Sequence, residues 1–151
     1  METIRKIECG KKEYLELLLE ADPSEEMIDR YLEDGTLFVL EEKGEPAAVA
    51  VVLPLADGEC ELKNLAVAQA LRGKGYGRRM VEGLFEIYGG AYKRMRVGTA
   101  DIPCGCKEFY QKLGFRYTHT VNGFFSGNYP EPLYENGALI ENMACFAKEL
   151  K

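Results

Sequence analysis

The segment NLAVAQALRGKGYGRRMVEGLFEIY, residues 64–88, joins an apolar run to an amphipathic one through Gly73, Gly75 and Gly77. After the glycines, apolar residues recur at three- and four-residue intervals: Met80, Val81, Leu84, Phe85 and Tyr88. This spacing predicts an amphipathic helix that ends at a glycine pair. A helix that begins directly after flexible glycines presents unpaired N–H groups and a partial positive charge. The segment therefore predicts a strand, a glycine joint that accepts an anion, and a helix.

The charge around this joint differs from that of the whole chain. The chain has a net charge of −6, but residues 62–81 contain no Asp or Glu and carry five positive charges, so the remainder carries −11. The acidic average argues against general binding to nucleic acid or to anionic membranes. The joint is a local exception with a positive field.

The glycine spacing alone leaves two interpretations open. Gly73-x-Gly75-x-Gly77 matches neither the dinucleotide pattern G-x-G-x-x-G nor the phosphate loop G-x-x-x-x-G-K-[ST]. The joint is consistent with a phosphate site, and equally with a tight strand-to-helix turn that has a solvated basic face.

The length and composition predict one domain spanning residues 1–151. Hydrophobic residues make up 46% of the 151-residue chain, and no apolar run reaches the roughly 18 residues of a spanning helix. The N-terminus lacks a signal-peptide pattern, so a cytoplasmic location is expected. Five cysteines cannot all pair within one chain, and we expect reduced thiols.

Working outward from the joint, periodicity predicts the order of elements. The N-terminal side predicts an edge strand, two helices with Asp22 as the N-cap of the second, and three consecutive antiparallel strands. The C-terminal side predicts a strand parallel to the one before the joint, a short helix, another strand and an irregular loop over 123–137. Residues 138–150 are either a last strand or a C-terminal helix, and we favour a strand over 139–146. The sum is an α/β domain with a mixed sheet and helices packed on it.

Two motifs in this order resemble one family. Arg72-x-x-Gly75-x-Gly77 resembles the acetyl-coenzyme A signature [QR]-x-x-G-x-[GA] of the GNAT N-acetyltransferases, and EFYQKLGFRY, residues 108–117, resembles that family's second motif. The resemblance implies a single GNAT-like domain: a central mixed, mostly antiparallel twisted sheet of about seven strands, flanked by about four helices. It also implies acetyl-CoA as cosubstrate.

The resemblance assigns coenzyme contacts to the strand before the joint and to the joint itself. The strand would pair its exposed edge with the pantetheine arm, and the joint would hold the pyrophosphate. These residues are Leu65, Ala66, Val67, Arg72, Gly73, Lys74, Gly75, Tyr76, Gly77 and Arg78.

The catalytic residues implied by the resemblance are Glu61 and Tyr110. A carboxylate at Glu61 would take the proton of the amine through a water, and the Tyr110 phenol would give a proton to the departing thiolate. Strict alternation places Glu61, Lys63 and Leu65 on one face of the strand, but a bulge would change this parity, so the sequence leaves open whether Glu61 faces the cleft. Pro103 stands where the family often has an asparagine, and Asp101 is a partial substitute.

The family places the acceptor site in the N-terminal helices and in the C-terminal loop. That loop is rich in aromatic, amide and acidic residues: Phe124, Phe125, Tyr129, Tyr134, Glu135 and Asn136. They suit a pocket for a small cationic amine, and equally a homodimer contact.

The leading hypothesis is an acetyl-CoA dependent N-acetyltransferase that acts on a primary amine of a small molecule by direct attack in a ternary complex. A protein lysine or N-terminal amine as acceptor, and a non-catalytic acyl-CoA sensor, are the alternatives. Cys104 and Cys106, with the single histidine His119 of the chain, do not make a four-ligand zinc site without additional carboxylates, so no metal is expected.

Overall fold

The computed structural model describes residues 2–135 and 137–150, and its centre is one sheet of seven strands. In chain order these strands are β1 Glu2–Ile7, β2 Thr36–Glu42, β3 Glu45–Pro54, β4 Glu59–Val67, β5 Arg94–Ala100, β6 Arg116–Val121 and β9 Met143–Glu149. Their spatial order is β1-β2-β3-β4-β5-β9-β6. Only β4 and β5 pair in parallel, and every other neighbouring pair is antiparallel. The prediction of a mixed, mostly antiparallel sheet of about seven strands is confirmed.

Five α-helices connect these strands: α1 Leu15–Ala21, α2 Glu25–Leu32, α3 Tyr76–Tyr88, α4 Cys106–Lys112 and α5 Phe124–Asn128. The helix α3 has 13 residues and crosses over between β4 and β5, which is why these two strands can run parallel. Among the described residues, no helix combines the length and the apolar character needed to span a membrane.

Two hydrophobic layers cover the sheet, one on each face. On one face, Leu18 of α1 and Ile28 of α2 pack with Val49 and Val51 of β3. On the other face, the apolar stripe of α3 packs against β3, β4, β5 and β9, and Met80, Val81 and Leu84 are fully buried there. A sheet with a helix layer on each face explains why β3 is apolar at consecutive positions instead of alternating.

The N-terminus of α2 differs from the prediction. Ser24, not Asp22, is the N-cap, and its Oγ accepts a hydrogen bond from the Met27 N–H at 3.2 Å. Asp22 is instead the C-cap residue of α1. It is buried, 8% exposed, and its carboxylate accepts hydrogen bonds from two tyrosine hydroxyls. The Asp22 carboxylate is directed to the two tyrosines, and Ser24 supplies the cap oxygen of α2.

The region after β6 is more ordered than predicted. Residues 123–137 were expected to be irregular, but they contain α5 and the strand β7 Leu133–Glu135, which forms a small hairpin with β8 Ala138–Ile140. The last strand begins at Met143 and not at Leu139, because Leu139 belongs to this hairpin and Asn142 turns the chain by accepting a hydrogen bond from the Gly123 N–H. A three-residue strand is too short for periodicity to reveal.

Replacement of the α2 cap provides a test of this assignment. Ser24→Ala is expected to lower the free energy of unfolding by about 1 kcal/mol, because the Met27 N–H loses its partner. This corresponds to a decrease of about 2–4 °C in Tm for a domain of this size, measured by circular dichroism. Ser24→Asp keeps an acceptor oxygen and should retain near wild-type stability. Equal losses in both variants would contradict the cap.

Candidate active site

The glycine joint lies between β4 and α3. A short 3₁₀ turn, Gln69–Leu71, follows β4, and α3 begins at Tyr76. Gly73 and Gly75 have φ angles of 80° and 87°, in the left-handed region that favours glycine. Gly75 is the N-cap of α3, and no side chain of the described residues caps the helix. The N–H groups of the first turn are therefore available to an external acceptor.

The basic side chains of the joint point in different directions. The Arg72 guanidinium turns back toward α1, where it bonds the Glu20 carboxylate at 2.6 Å and the Val67 carbonyl at 3.2 Å. The Arg78 side chain is 70% exposed, although its Nε bonds Glu82 one turn along α3. Arg72 thus links the joint to β4 and α1 by these two hydrogen bonds. Arg78, in the first turn of α3, extends into solvent.

Arg79 holds the backbone of the joint. Its Nη1 donates to the Lys74 carbonyl oxygen at 3.1 Å, and its guanidinium lies 4.5 Å from the centre of the Tyr76 ring. A Cβ at Gly75 would come within 2.9 Å of Nη1. Glycine at this position therefore leaves room for the arginine that stabilises the turn.

Next to the joint, β4 separates from β5. The two strands pair only from Glu59 with Arg94 to Leu62 with Val97. Beyond Leu62, β4 stays paired with β3 up to Val67 while β5 pairs with β9. The predicted pantetheine contacts, residues 65–67, all lie on the part of β4 that has separated from β5.

A β-bulge lies where this separation begins. The register between β3 and β4 shifts between Val51 and Val52, which pair with Asn64 and Leu62. Lys63 is thus the extra residue of the bulge. An extra residue inverts the alternation of side chains along the strand.

The bulge settles which face of the sheet Glu61 occupies. Leu62 before the bulge and Leu65 after it both pack into the core under α3. Glu61 lies on the opposite face, the face of α1 and α2, where the Lys63 Nζ is 4.0 Å from its carboxylate and 5.4 Å from the centre of the Tyr31 ring. Strict alternation would place Leu65 on the face of Glu61, and the bulge, which the sequence left open, places the two side chains on opposite faces.

Tyr110 lies on the α3 side of the sheet. Its ring packs edge-on against Phe109 and Phe115, with centroids 5.0 and 5.5 Å away. Burial, together with the nearby Cys106, raises the pKa of the phenol above its usual value. Within the described part of the chain its interactions are these ring contacts and the charge of Cys106, with no hydrogen bond to the hydroxyl. The hydroxyl is therefore protonated at neutral pH and available to a ligand.

On the α1/α2 side, a buried polar network lies next to the bulge. The Asp22 carboxylate accepts from the Tyr31 hydroxyl at 3.0 Å and from the Tyr129 hydroxyl at 2.7 Å. The Asn64 amide donates to the Tyr31 oxygen at 3.0 Å and to the Leu18 carbonyl at 3.1 Å. The network joins α1, α2, β4 and the loop after α5 at one point.

No cation pairs with Asp22 among the residues that the structure describes. Burial is the main cause that raises the pKa of Tyr31 and of Tyr129, and the Asp22 carboxylate adds to it. Asn64 Oδ1 is also buried and without a partner in the described chain. Sequence reasoning missed this network, although a single asparagine between buried strand positions was a usable signal.

The predicted acceptor residues that the structure describes lie in two segments, α5 with the residue after it and the β7–β8 hairpin. The Phe125 ring contacts the Phe124 ring edge-on and the Tyr129 ring at a tilt, with centroids 5.1 and 5.8 Å apart. The Tyr129 hydroxyl donates a hydrogen bond to Asp22. Tyr134 is 65% exposed. Glu135 is exposed on the β7–β8 hairpin, and Asn136 lies outside the described residues.

The polar side chains of the turn before α4 bond to one another or to α4. The Asp101 carboxylate, suggested as a substitute for the family asparagine at Pro103, bonds the Lys107 ammonium at 2.8 Å. Cys104 donates to Cys106 with the sulfurs 2.8 Å apart, and burial raises the pKa of Cys106 to about 12. His119 is exposed on β6.

Comparison with known proteins agrees with this geometry. Residues 33–117 match the family model described as acetyltransferase (GNAT) domain. The chain is 34% identical over 146 residues to an uncharacterized N-acetyltransferase, YvbK, of Bacillus subtilis, which covers 91% of this chain and 92% of that protein.

Solved structures show the same fold. A GNAT acetyltransferase from Elizabethkingia anophelis with acetyl-CoA bound has a TM-score of 0.94 and 35% identity, over 98% of this chain and 97% of that one. A Bacillus subtilis acetyltransferase in complex with CoA has a TM-score of 0.92 and 31% identity, over the full length of both chains. An IAA acetyltransferase from Bacillus cereus has a TM-score of 0.91 and 34% identity, over 99% of each chain. With the glycine joint, the separated strands and the second motif all in the places that the sequence predicted, the chain belongs to the GNAT acetyltransferase family and is an N-acetyltransferase.

Proposed function

We propose that the protein uses acetyl-CoA as its donor and transfers the acetyl group to a primary amine of a small molecule, by direct attack in a ternary complex. The observation that carries this proposal is the separation of β4 from β5 beside the uncapped N-terminus of α3. Two relatives at 31% and 35% identity bind CoA or acetyl-CoA.

The coenzyme would bind from the joint into the gap. The N–H groups of the first turn of α3 suit the pyrophosphate, because they are uncapped and lie at the positive end of the helix dipole. The unpaired edge of β4 would receive the pantetheine arm as an added strand. Among the basic residues, Lys74 and Arg78 are better placed for phosphates than Arg72, whose side chain bonds Glu20.

The two proposed catalytic groups lie on opposite faces of the sheet, and the gap connects those faces. A thioester in the gap would have the Glu61 carboxylate on the acceptor side and the Tyr110 phenol on the other. Glu61 would take the proton of the ammonium through a water, and the free amine would attack the carbonyl carbon. As the C–S bond breaks, Tyr110 would donate its proton to the thiolate of the coenzyme.

The acceptor side favours a small cationic amine. Two carboxylates, Glu61 and Asp22, lie on this face, and Asp22 has no cationic partner in the described chain. Tyr129 ties the loop after α5 to Asp22, so an aromatic ring lies beside this carboxylate. Carboxylates and aromatic faces both attract cations, which suits a small ammonium ion.

Neutralising Lys74 and the largely exposed Arg78 of the joint should weaken coenzyme binding. A Lys74→Gln/Arg78→Gln double variant is expected to raise the Kd for CoA about 10-fold, which equals about 1.4 kcal/mol, measured by calorimetry. The double variant Lys12→Gln/Arg30→Gln changes the net charge equally, but its residues pair with acidic groups around α2. Equal weakening in both pairs would show a general charge effect and would contradict local phosphate contacts.

Thiol release from acetyl-CoA across a panel of small amines and lysine peptides tests the activity. We expect small amines to support the fastest release, and Tyr110→Phe to lower kcat about 10²- to 10⁴-fold with little change in coenzyme Kd. Tyr92→Phe, a partly buried tyrosine that packs on Tyr88, is the matched control. Faster release with peptides would favour a protein acceptor, and coenzyme binding with no release for any amine would favour a sensor. Unchanged kcat in Tyr110→Phe would remove this residue from the chemistry.

The role of Glu61 predicts a particular pH dependence. Glu61→Gln should lower kcat/KM at neutral pH about 10²-fold, and the loss should shrink as pH rises toward the amine pKa of about 10, where the amine is free without a base. Glu59→Gln is the control, because Glu59 lies two residues away on the same strand and is held by Arg94 and Arg96. A loss in Glu61→Gln that is constant with pH would exclude a base.

A further inference from the structure

Two thiols outside the proposed reaction converge in the turn before α4. Cys104 and Cys106 flank Gly105, whose φ of 86° lies in the left-handed region. This backbone directs both half-buried side chains to one side, with the sulfurs 2.8 Å apart. The pair is therefore arranged to act together on one ligand.

A third group, the Glu135 carboxylate, comes from the end of β7. The β7–β8 hairpin brings the Glu135 carboxylate to the thiols, and one oxygen and the two sulfurs all lie within 4.8 Å of one another. No basic side chain in the described part of the chain pairs with Glu135. Lys107 next to Cys106 already bonds Asp101. Three groups that are anionic when deprotonated thus meet, and the adjacent cation, Lys107, interacts with Cys104 but is shared with Asp101.

We propose that Cys104, Cys106 and Glu135 bind one thiophilic divalent cation of the Zn²⁺ type, as two thiolates and one carboxylate, with water as the fourth ligand. Two thiolates and a carboxylate match the ligand preference of Zn²⁺. On binding, each thiol gives its proton to solvent as its sulfur bonds the metal. This site is separate from the proposed acetyl transfer, which routes no step through it.

The geometry needs a small adjustment to close the site. Zn–S bonds of about 2.3 Å in a tetrahedral site place two sulfurs about 3.7–3.8 Å apart, so the thiols must separate by about 1 Å. A disulfide instead needs the sulfurs to approach to about 2.05 Å, and it gives the carboxylate no role. The third group favours a metal over a disulfide.

A bound ion would connect two segments that are distant in sequence but adjacent in the structure. Glu135 lies on the loop assigned to the acceptor side, and Cys106 is the first residue of the helix that carries Tyr110. The ion would therefore hold the hairpin against the N-terminus of α4.

Titration of the full, reduced chain with Cd²⁺, a spectroscopic substitute for Zn²⁺, tests the proposal. The expected result is one ion per chain, with an ultraviolet thiolate-to-metal absorption band. Cys104→Ser and Cys106→Ser should each abolish most of the band, and Glu135→Gln should weaken binding at least about 10-fold, the lower range for loss of an outer-shell partner. Zn²⁺ should compete for the same site and raise Tm.

Matched controls separate the site from general thiol binding. Cys145→Ser removes a half-buried thiol on β9, and Cys9→Ser an exposed one, and both should bind Cd²⁺ like the wild type. Glu135 is exposed, so Glu135→Gln keeps the test valid even if a cysteine variant fails to fold. No saturable band, or equal binding by Glu135→Gln, would overturn the proposal. So would a protein that binds no ion when reduced and forms a Cys104–Cys106 disulfide when oxidised by O₂ from air.

Discussion

Beyond Leu62, strand β4 is hydrogen-bonded to a neighbouring strand on one edge only. The rest of the site depends on this constraint. The strand remains hydrogen-bonded to β3 as far as Val67, so its other edge separates from β5. The bulge at Lys63 lies at the same point and turns the following side chains to the other face. As a result, a polar face before the bulge and an unpaired backbone edge after it lie within a few residues of each other. The glycine joint then begins directly after the strand.

The network at Asp22 gives this region its second support. Asp22, Tyr31, Asn64 and Tyr129 come from four different segments, and each contact is buried or partly buried. Buried polar groups are costly unless they are hydrogen-bonded, so the network holds these segments in one arrangement. Because Asn64 belongs to the bulge, the same residue connects the shape of β4 to the position of the acceptor loop. The position of the loop after α5 and the separation of the strands are thus physically linked.

Local features of the sequence predicted most of the fold. The helix α3 and the parallel pairing of β4 with β5 followed from a 3.6-residue period and a crossover connection. The errors came where a side chain served a distant partner: Asp22 looked like a helix cap but is held by Tyr31 and Tyr129. The short β7–β8 hairpin was missed because three-residue strands leave no periodic signal.

The sequence by itself determined the family, the order of the elements through β6 and the position of the glycine joint, because these depend on residue types at short spacing. Only the tertiary structure decided that Glu61 faces α1 and α2, that Arg72 turns away to Glu20, and that Glu135 meets Cys104 and Cys106. These facts depend on a register shift and on contacts between residues 29 to 52 positions apart. Spacing along the chain does not encode such contacts, because each results from how whole elements pack.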